Sequence, residues 1–475
     1  MLIIKKILIT ALTLLILSCM KLPRPEIAGP AITRNGTKII DSTSDFSQQM
    51  WWKKMHDPAL NALIKKALAT NNQIQTAQAN IMQAQAKLKE ARFAWLPTLS
   101  ASGNGFIGGG WDTEFTPKGV LAKSLGSSPV GNIHFQGYYG GFVPSYSLNI
   151  LQNHYKNQFA NTQLNLQKAT YQSVRLSIIS QVAGAYFMLL GQKEQLKEQY
   201  QILRDLKKIR QLEWVRYKAG TSDLSTLNTL DQQISNQQAT IPSIKNGIEQ
   251  IENALQVLIN CNPGPFVMVG NIHSLHMKGL IPAYLPSSVL KNRPDMMIAE
   301  QQLKLSALNV DIATSNFFPN ISLTSLLGGT SIELAHLLTM NTGLWIANAA
   351  LSAPILNGVT YEQIKEAKSG YLAAYFTYIQ TVRSIFSDVD NSLTNQQQLN
   401  AIYQQKLKTW MISKRTYTLA LARYKAGSND YREVANALLT VNNAKLEVTL
   451  AEMQWLDSIV GLYQSLGGGY NGKPC

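Results

Sequence analysis

A chain of 475 residues is long enough to bury two or three ordinary cores, yet only 15% of it is charged, against roughly 25% in an average soluble domain. Gln, Asn, Ser and Thr fill the gap, which suggests surfaces that are wet but uncharged, as on the wall of a water-filled conduit; an ordinary polar surface from a biased proteome reads the same way. The net charge of +15 comes from Lys and Arg scattered along helices beside acids, as in Lys193-Glu194-Gln195-Leu196-Lys197-Glu198, and no basic stripe is interleaved with aromatics, so nucleic acid is excluded as a partner.

Met1, Lys5 and Lys6 precede an apolar run, 7–17, which is the layout of a secretion signal over 1–18. The run is too short for a comfortable bilayer span. Its end, Ile16-Leu17-Ser18-Cys19, resembles a bacterial lipoprotein signal, which implies cleavage before Cys19 and acylation of that cysteine; a plain cleaved signal peptide is the alternative. Met20 in place of Asp removes the usual inner-membrane retention cue. In an oxidising compartment two cysteines remain, Cys261 and Cys475. They form a disulfide if the chain end returns to the corner at 260–265, and stay as two thiols otherwise. Beyond the signal no apolar run of 18 or more residues is expected. That excludes helical spans and leaves a β-barrel as the way through a membrane.

Residues 19–56 read as an extended, lipid-anchored segment. Asp57-Pro58 is a helix cap and first turn, and one helix is predicted from there to Trp95, where Pro97 stops it. The period then changes to two: Thr98, Ser100, Ser102 and Asn104 alternate with Leu99, Ala101, Gly103 and Gly105. Strands are predicted at about 98–108 and 132–148, with a Gly-rich loop between them and Tyr138, Tyr139, Phe142 and Tyr146 near the ends. Polar residues on one face and apolar ones on the other fit a membrane strand, and equally a soluble hairpin with one wet face. From Tyr146 to Ile241 there is no proline, and a helix over about 151–218 would be roughly 100 Å long at ~1.5 Å per residue. Gly220 ends it, and Thr221-Ser222-Asp223 caps a return helix to about 260.

The pattern then repeats. A connector at 263–288 leads to a helix before Pro319, strands at about 319–330 and 343–353, and a proline-free stretch from Ile355 to Lys473. Val215-Arg216-Tyr217-Lys218-Ala219-Gly220 recurs as Ala422-Arg423-Tyr424-Lys425-Ala426-Gly427, 207 positions later. Repeat 1 is therefore placed at 57–262 with its turn at 218–222, repeat 2 at 289–466 with its turn at 425–429, and a tail at 467–475. Repeat 1 is longer by 15 between its proline and its hinge, most economically in the loop between its strands. The fold class is mainly α with a membrane β-barrel. Four strands cannot close a barrel, because bacterial barrels start at about 8; three chains of four strands would give 12, with the helices extending as an α-helical tunnel.

Leu285-Pro286-Ser287-Ser288-Val289-Leu290, followed by Arg293-Pro294-Asp295, resembles the hallmark segment of TolC-like outer-membrane factors, in particular the NodT-type lipoprotein branch. Pro354-Ile355-Leu356-Asn357-Gly358 and both Tyr-Lys-Ala-Gly hinges match that family too. The resemblance implies a homotrimer in the outer-membrane lipid, working with a periplasmic adaptor and an inner-membrane transporter as the passive exit duct of an efflux pump. It implies adaptor docking at Tyr217, Ala219, Gly220, Thr221, Tyr424, Ala426, Gly427 and Ser428. It also implies a periplasmic gate beside the hinges, at Glu433 and Asn436 with Thr226 and Thr229 as the repeat 1 counterparts. Asn436 stands where the family carries Asp, so one acidic ring rather than two is expected.

Nothing points to catalysis, a cofactor or a metal. His56, His134, His154, His273, His276 and His336 show no ligand spacing, and Asp388 and Asp390, two apart on a helix, point to different faces. Two alternatives stay open. One is the same duct serving type I protein secretion; the other is a lipid-anchored coiled-coil spacer without a pore, which would carry heptads throughout and no strands.

Overall fold

The computed structural model describes residues 50–109, 134–264, 266, 270, 272–275, 293–333, 343–428 and 430–470. Cys19, Cys475, the signal segment, the Gly-rich loop and residues 285–290 lie outside the described residues, so acylation and the Cys261–Cys475 pairing do too. The chain forms two compact units. One draws on the described parts of 1–84, 163–304 and 373–475, the other on 85–162 and 305–372.

The smaller unit holds the sheet: β1 (Thr98–Gly109), β2 (His134–Leu148), β3 (Asn320–Ser331) and β4 (Gly343–Ser352), antiparallel in the order β1-β2-β3-β4. The register sorts side chains by face. Leu99 opposes Pro144, Ala101 opposes Phe142, Tyr146 opposes Leu323, and Leu327 opposes Trp345. That face is mainly apolar, with Gln136 and Ser325 as exceptions, and bare of protein cover, with Ile107 84% and Trp345 75% exposed. The opposite face carries Thr98, Ser100, Asn104, Ser322, Thr324 and Asn348, tied by Thr98–Ser145 at 2.7 Å and Asn104 Nδ2 to the Tyr139 hydroxyl at 2.9 Å. Gly141 and Gly328 meet across β2–β3, and a Cβ on either would run into the backbone of the facing strand. The stretch between β1 and β2, 110–133, is more than twice as long as that between β3 and β4, 332–342.

Helices enter and leave the sheet through side-chain caps. Asn149 accepts from Gln152 N at 3.1 Å at the start of α3 (Ile150–Lys218). Asn357 accepts from Val359 N at 3.0 Å at the start of α6 (Gly358–Lys425). These helices have 69 and 68 residues, and each is followed by a return helix of 35: α4 (Leu224–Leu258) and α7 (Tyr431–Ser465). α5 (Pro294–Ser315) precedes β3.

Two expectations need correction. The segment after Asp57 is two helices, α1 (Pro58–Thr70) and α2 (Asn72–Phe93), because Asn71 takes an extended conformation and caps the second helix, accepting from Gln73 N at 2.8 Å. Asn71 also donates to Leu258 O and Thr70 to Ile259 O, both at 2.9 Å, which anchors the break against the end of α4. Second, α3 does contain a stretch long and apolar enough to cross a membrane. Its side chains are occupied instead: Ile178, Ile179, Val182, Ala183, Tyr186, Phe187, Leu189 and Leu190 form the core of the larger unit with Trp51, Leu60, Ile64, Leu456, Ile459 and Tyr463. A helix buried among partners in this way needs no lipid.

Polar groups lock that core. Asp57 caps α1, accepting from Ala59 N at 2.8 Å, while its other oxygen accepts from the buried Tyr186 hydroxyl at 2.5 Å. Trp51 stacks on Tyr463 at 4.9 Å, and burial pushes the Tyr463 phenol up to about 12. Arg293 is buried and forks onto Asp295 at 3.0 and 2.6 Å, donates to Ser465 O at the end of α7 at 2.7 Å, and lies 3.7 Å from Asp388 of α6. The Arg-Pro-Asp segment is thus a fastener joining α5, α6 and α7. Removing the guanidinium is expected to cost about 3 kcal/mol, the low end for a broken buried pair because both aspartates reach water. Arg293→Lys should recover only part, since it lacks the fork. Unfolding midpoints in detergent check this; an Arg293→Ala protein as stable as the parent would contradict it.

Candidate functional site

The two hinges share one backbone solution. Thr221 N donates to Arg216 O at 2.9 Å and Gly220 N to Tyr217 O at 3.0 Å; in the second copy Ser428 N donates to Arg423 O at 3.0 Å and Gly427 N to Tyr424 O at 2.9 Å. The glycines sit at φ 76 and 74, in the left-handed region, with open space around a would-be Cβ. Backbone conformation, rather than crowding, selects glycine there. The following hydroxyls reinforce each turn, Thr221 Oγ1 to Arg216 O at 3.0 Å and Ser428 Oγ to Arg423 O at 3.1 Å. Tyr217, Ala219, Gly220, Thr221, Tyr424, Ala426, Gly427 and Ser428 are all exposed.

An aspartate then starts each return helix. Asp223 accepts from Thr226 N at 2.7 Å, and Asp430 from Arg432 N at 3.1 Å. Asp430 has a second role. Arg216, from the end of α3, forks onto it with Nη2 3.0 Å from Oδ2 and Nη1 on Oδ1. Behind Arg216 lies the buried Glu213, 3.5 Å away and itself accepting from Ser222 Oγ at 2.8 Å. The guanidinium, with the Arg432 N–H, holds the Asp430 carboxyl below the usual carboxylate range. Each hinge is thus closed by its own turn, and the two are joined by one Arg–Asp clamp. Sequence reading missed that clamp, although both residues stand at fixed offsets from the two glycines.

The surroundings of the hinges differ. Near the first, Trp214 stacks with Tyr217 at 6.0 Å between the cations of Arg210 and Lys218; near the second, Tyr424 meets Tyr431 edge-on at 5.2 Å. Arg210 also pairs Asp231 at 3.0 Å, tying α3 to α4. Below them Ile202, Leu206, Ile209, Leu230 and Ala435 pack together. Of the residues expected at a gate, Glu433 and Asn436 lie on the exposed side of α7, opposite the buried Val434 and Ala435. Among the described residues no ion pair involves Glu433. Thr226 is half-buried, and Thr229 spends its hydroxyl on Ser225 O at 2.9 Å. A further cluster was not legible as a site: His273 lies 3.3 Å from Glu452 and 3.7 Å from Glu194, with its pKa raised chiefly by Glu452. Cys261 accepts from Lys66 Nζ at 3.2 Å.

A strand quartet with one lipid-like face and one wet face, in a chain whose paired helices run to nearly seventy residues, defines a membrane-channel subunit with an α-helical duct. The chain belongs to the outer membrane efflux protein family, whose model matches residues 63–260 and 285–468. It is 25% identical over 463 residues to the probable outer membrane lipoprotein SilC of Salmonella typhimurium, covering 94% of each. It is 29% identical over 434 residues to the solvent efflux pump outer membrane protein SrpC of Pseudomonas putida, covering 87% of this chain and 86% of that one. The open state of the Neisseria gonorrhoeae MtrE outer membrane channel matches with a TM-score of 0.79 at 26% identity, covering 96% of this chain and all (100%) of that one. The protein is accordingly an outer-membrane efflux duct.

The clamp has a pH signature. Asp430 titrates below its unfolded value of about 3.9. Its contribution is therefore complete above about pH 4 and is lost as pH falls through the lowered folded value. In hydrogen–deuterium exchange, Asp430→Asn should open the hinge amides at neutral pH, and its difference from the parent should shrink from about pH 4 towards pH 2. A difference that stays constant across that range would rule the carboxylate out.

Proposed function

We propose that three copies of this chain close a 12-stranded barrel and a helical tunnel, and that the hinge end of the tunnel docks a periplasmic adaptor linked to an inner-membrane transporter. The observation that carries this reading is the sheet. Its edge strands β1 and β4 each pair on one side only, and its apolar face is bare. In hydrocarbon, open edges leave backbone groups unpaired, so further strands must come from other copies. Repeat 1 sits at 57–262 and repeat 2 at 289–466, joined by the 263–288 connector, with a Cys19 lipid anchoring the N-terminus in the same membrane.

Cargo passes along a wet, weakly charged wall. The relatives' names speak of solvent efflux for SrpC and cation efflux for CusC of Escherichia coli. The lumen strands of this chain, with their Ser, Thr and Asn, favour neither strongly, and a small polar or amphipathic molecule suits them. The exposed turns at Gly220 and Gly427 present bare backbone to a partner, with Tyr217 and Tyr424 beside them. Glu433 of each copy would place three carboxylates around the tunnel mouth and favour cations there.

Two measurements test these roles. A photo-reactive amino acid at Tyr217 or Tyr424 should capture a periplasmic protein that co-purifies with an inner-membrane transporter, and one at the remote Gln78 should not; equal capture at all three sites would defeat the docking assignment. In planar bilayers, the purified protein should open in discrete steps, and Glu433→Gln should lower its cation-over-anion permeability about threefold. Unchanged selectivity would remove Glu433 from the gate.

A further inference from the structure

The connector between the repeats lies on the larger unit at a short turn, Ile272–Ser274. Ile272 and Leu275 are buried and join the apolar core, and Phe266 packs against its edge. Gly270 passes so close to α3 that a Cβ there would run into the Tyr186 hydroxyl. Between the two apolar pegs stands His273, its side chain 44% exposed.

His273 faces carboxylates from both repeats. Its Nδ1 lies 3.3 Å from Oε2 of Glu452 on α7, and its Nε2 lies 3.7 Å from Oε1 of Glu194 on α3. Glu194 and Glu198 are one helical turn apart on α3, and both are buried. Lys445 of α7 reaches them, 3.4 Å from Glu198 and 3.8 Å from Glu194. Thr449 donates to Glu198 Oε1 at 2.9 Å, while Glu198 Oε2 is buried with no hydrogen-bond partner. Lys197 serves Glu194 at 3.1 Å, and Lys193 is taken up by Glu252 of α4 at 2.7 Å. From α6, Tyr403 faces Glu452 and stacks on Trp455 at 5.2 Å. Among the described residues Glu452 pairs with no cation besides His273, and the oxygen it turns towards the imidazole is shut off from water.

We propose that the 272–275 turn is a pH-operated latch: protonated His273 pins the connector across α3 and α7, and loss of its proton lets the turn lift. A neutral imidazole has one N–H and satisfies one of the two carboxylates, whereas the imidazolium donates on both sides. Without that charge Glu452 is left buried near Glu194 and Glu198 with no countercharge of its own, and only Ile272 and Leu275 hold the turn down. Glu194 belongs to repeat 1, Glu452 to repeat 2 and His273 to the segment joining them. How firmly the connector holds the repeats side by side therefore follows the acidity around it.

Glu452 favours the charged imidazole more strongly than burial disfavours it, so His273 titrates above its ordinary value. The latch is thus complete below about pH 6.5, the value of an undocked imidazole, and is lost as pH rises through the raised docked value. Burial raises the Glu198 carboxyl as well, so its ionisation loosens the cluster in the same direction.

The test is hydrogen–deuterium exchange of the full-length protein in detergent from about pH 5.5 to about pH 9, with protection at 272–275 corrected for the intrinsic rate at each pH. In the parent, protection should hold to about pH 6.5 and then fall about fivefold, the scale of a partly exposed ion pair. His273→Gln should be low and flat. His273→Lys, which keeps a positive charge throughout, should be flat and nearer the parent's acid value. Glu452→Gln should move the fall to lower pH, and Glu198→Gln should leave it in place. Protection along α3 and α7 in the same spectra reports whether each variant keeps its helices; if the glutamine variant at His273 loses them, the parent curve and the shift in Glu452→Gln decide. A parent without the fall, a fall that survives in folded His273→Gln, or one abolished by Glu198→Gln would overturn the latch.

Discussion

Backbone hydrogen bonding at the two free edges of the four-stranded sheet governs everything else in this molecule. A strand edge in water is satisfied by solvent, but in hydrocarbon each unpaired N–H or C=O costs several kcal/mol, and only closure removes the cost. The mainly apolar face, which runs from Leu99 and Ile107 on β1 to Trp345 and Leu351 on β4, says that these strands do meet hydrocarbon. Closure by this chain alone is out of reach, so the strand edges set the copy number. Each strand also leads directly into or out of a helix, through Pro97, Asn149, Pro319 and Asn357. Whatever symmetry the barrel adopts is therefore handed to the helices.

Those helices are long, and length puts a premium on how they end. Four unpaired N–H groups and four unpaired C=O groups stand at each terminus. Here side chains take them up one by one. Asp57, Asn71, Asn149, Asn357, Asp223 and Asp430 cap starts; Thr221, Ser428 and Arg293 take carbonyls at ends. Several of these groups then serve twice. Asp57 fixes Tyr186, Asn71 fixes the end of α4, and Asp430 fixes Arg216. The caps are consequently the tertiary contacts, and the places where helices stop are the places where they are joined.

Much of this was legible in the sequence because its signals are local. Strand alternation at 98–105, the proline-free stretches, and Gly220 and Gly427 each report on their own few residues, and the duplication doubles every signal. What was not legible depends on residues far apart in the chain. Asn71 looks like any polar helix residue until Leu258 is placed beside it. The apolar stretch of α3 was passed over in the sequence although it is long and apolar enough for a membrane span, and its partners Trp51, Leu60 and Leu456 show it to be core. The Arg293-Pro294-Asp295 segment was recognised as a signature, but its work on Ser465 and Asp388 lies 172 and 95 positions away and leaves no periodic trace.

The hinge end shows what duplication preserves and what it releases. Arginine, glycine, hydroxyl and aspartate are retained in both copies, and the last three build the turn and the cap. The residues around them have diverged: Glu213 against Ala420, Trp214 against Leu421, Thr226 and Thr229 against Glu433 and Asn436. Arg216 has a buried glutamate behind it, whereas an alanine stands at the corresponding place before Arg423, so the two arginines are not equivalent. The clamp onto Asp430 then keeps the two hairpins of one chain together at the end where no other contact of the turns themselves would do so.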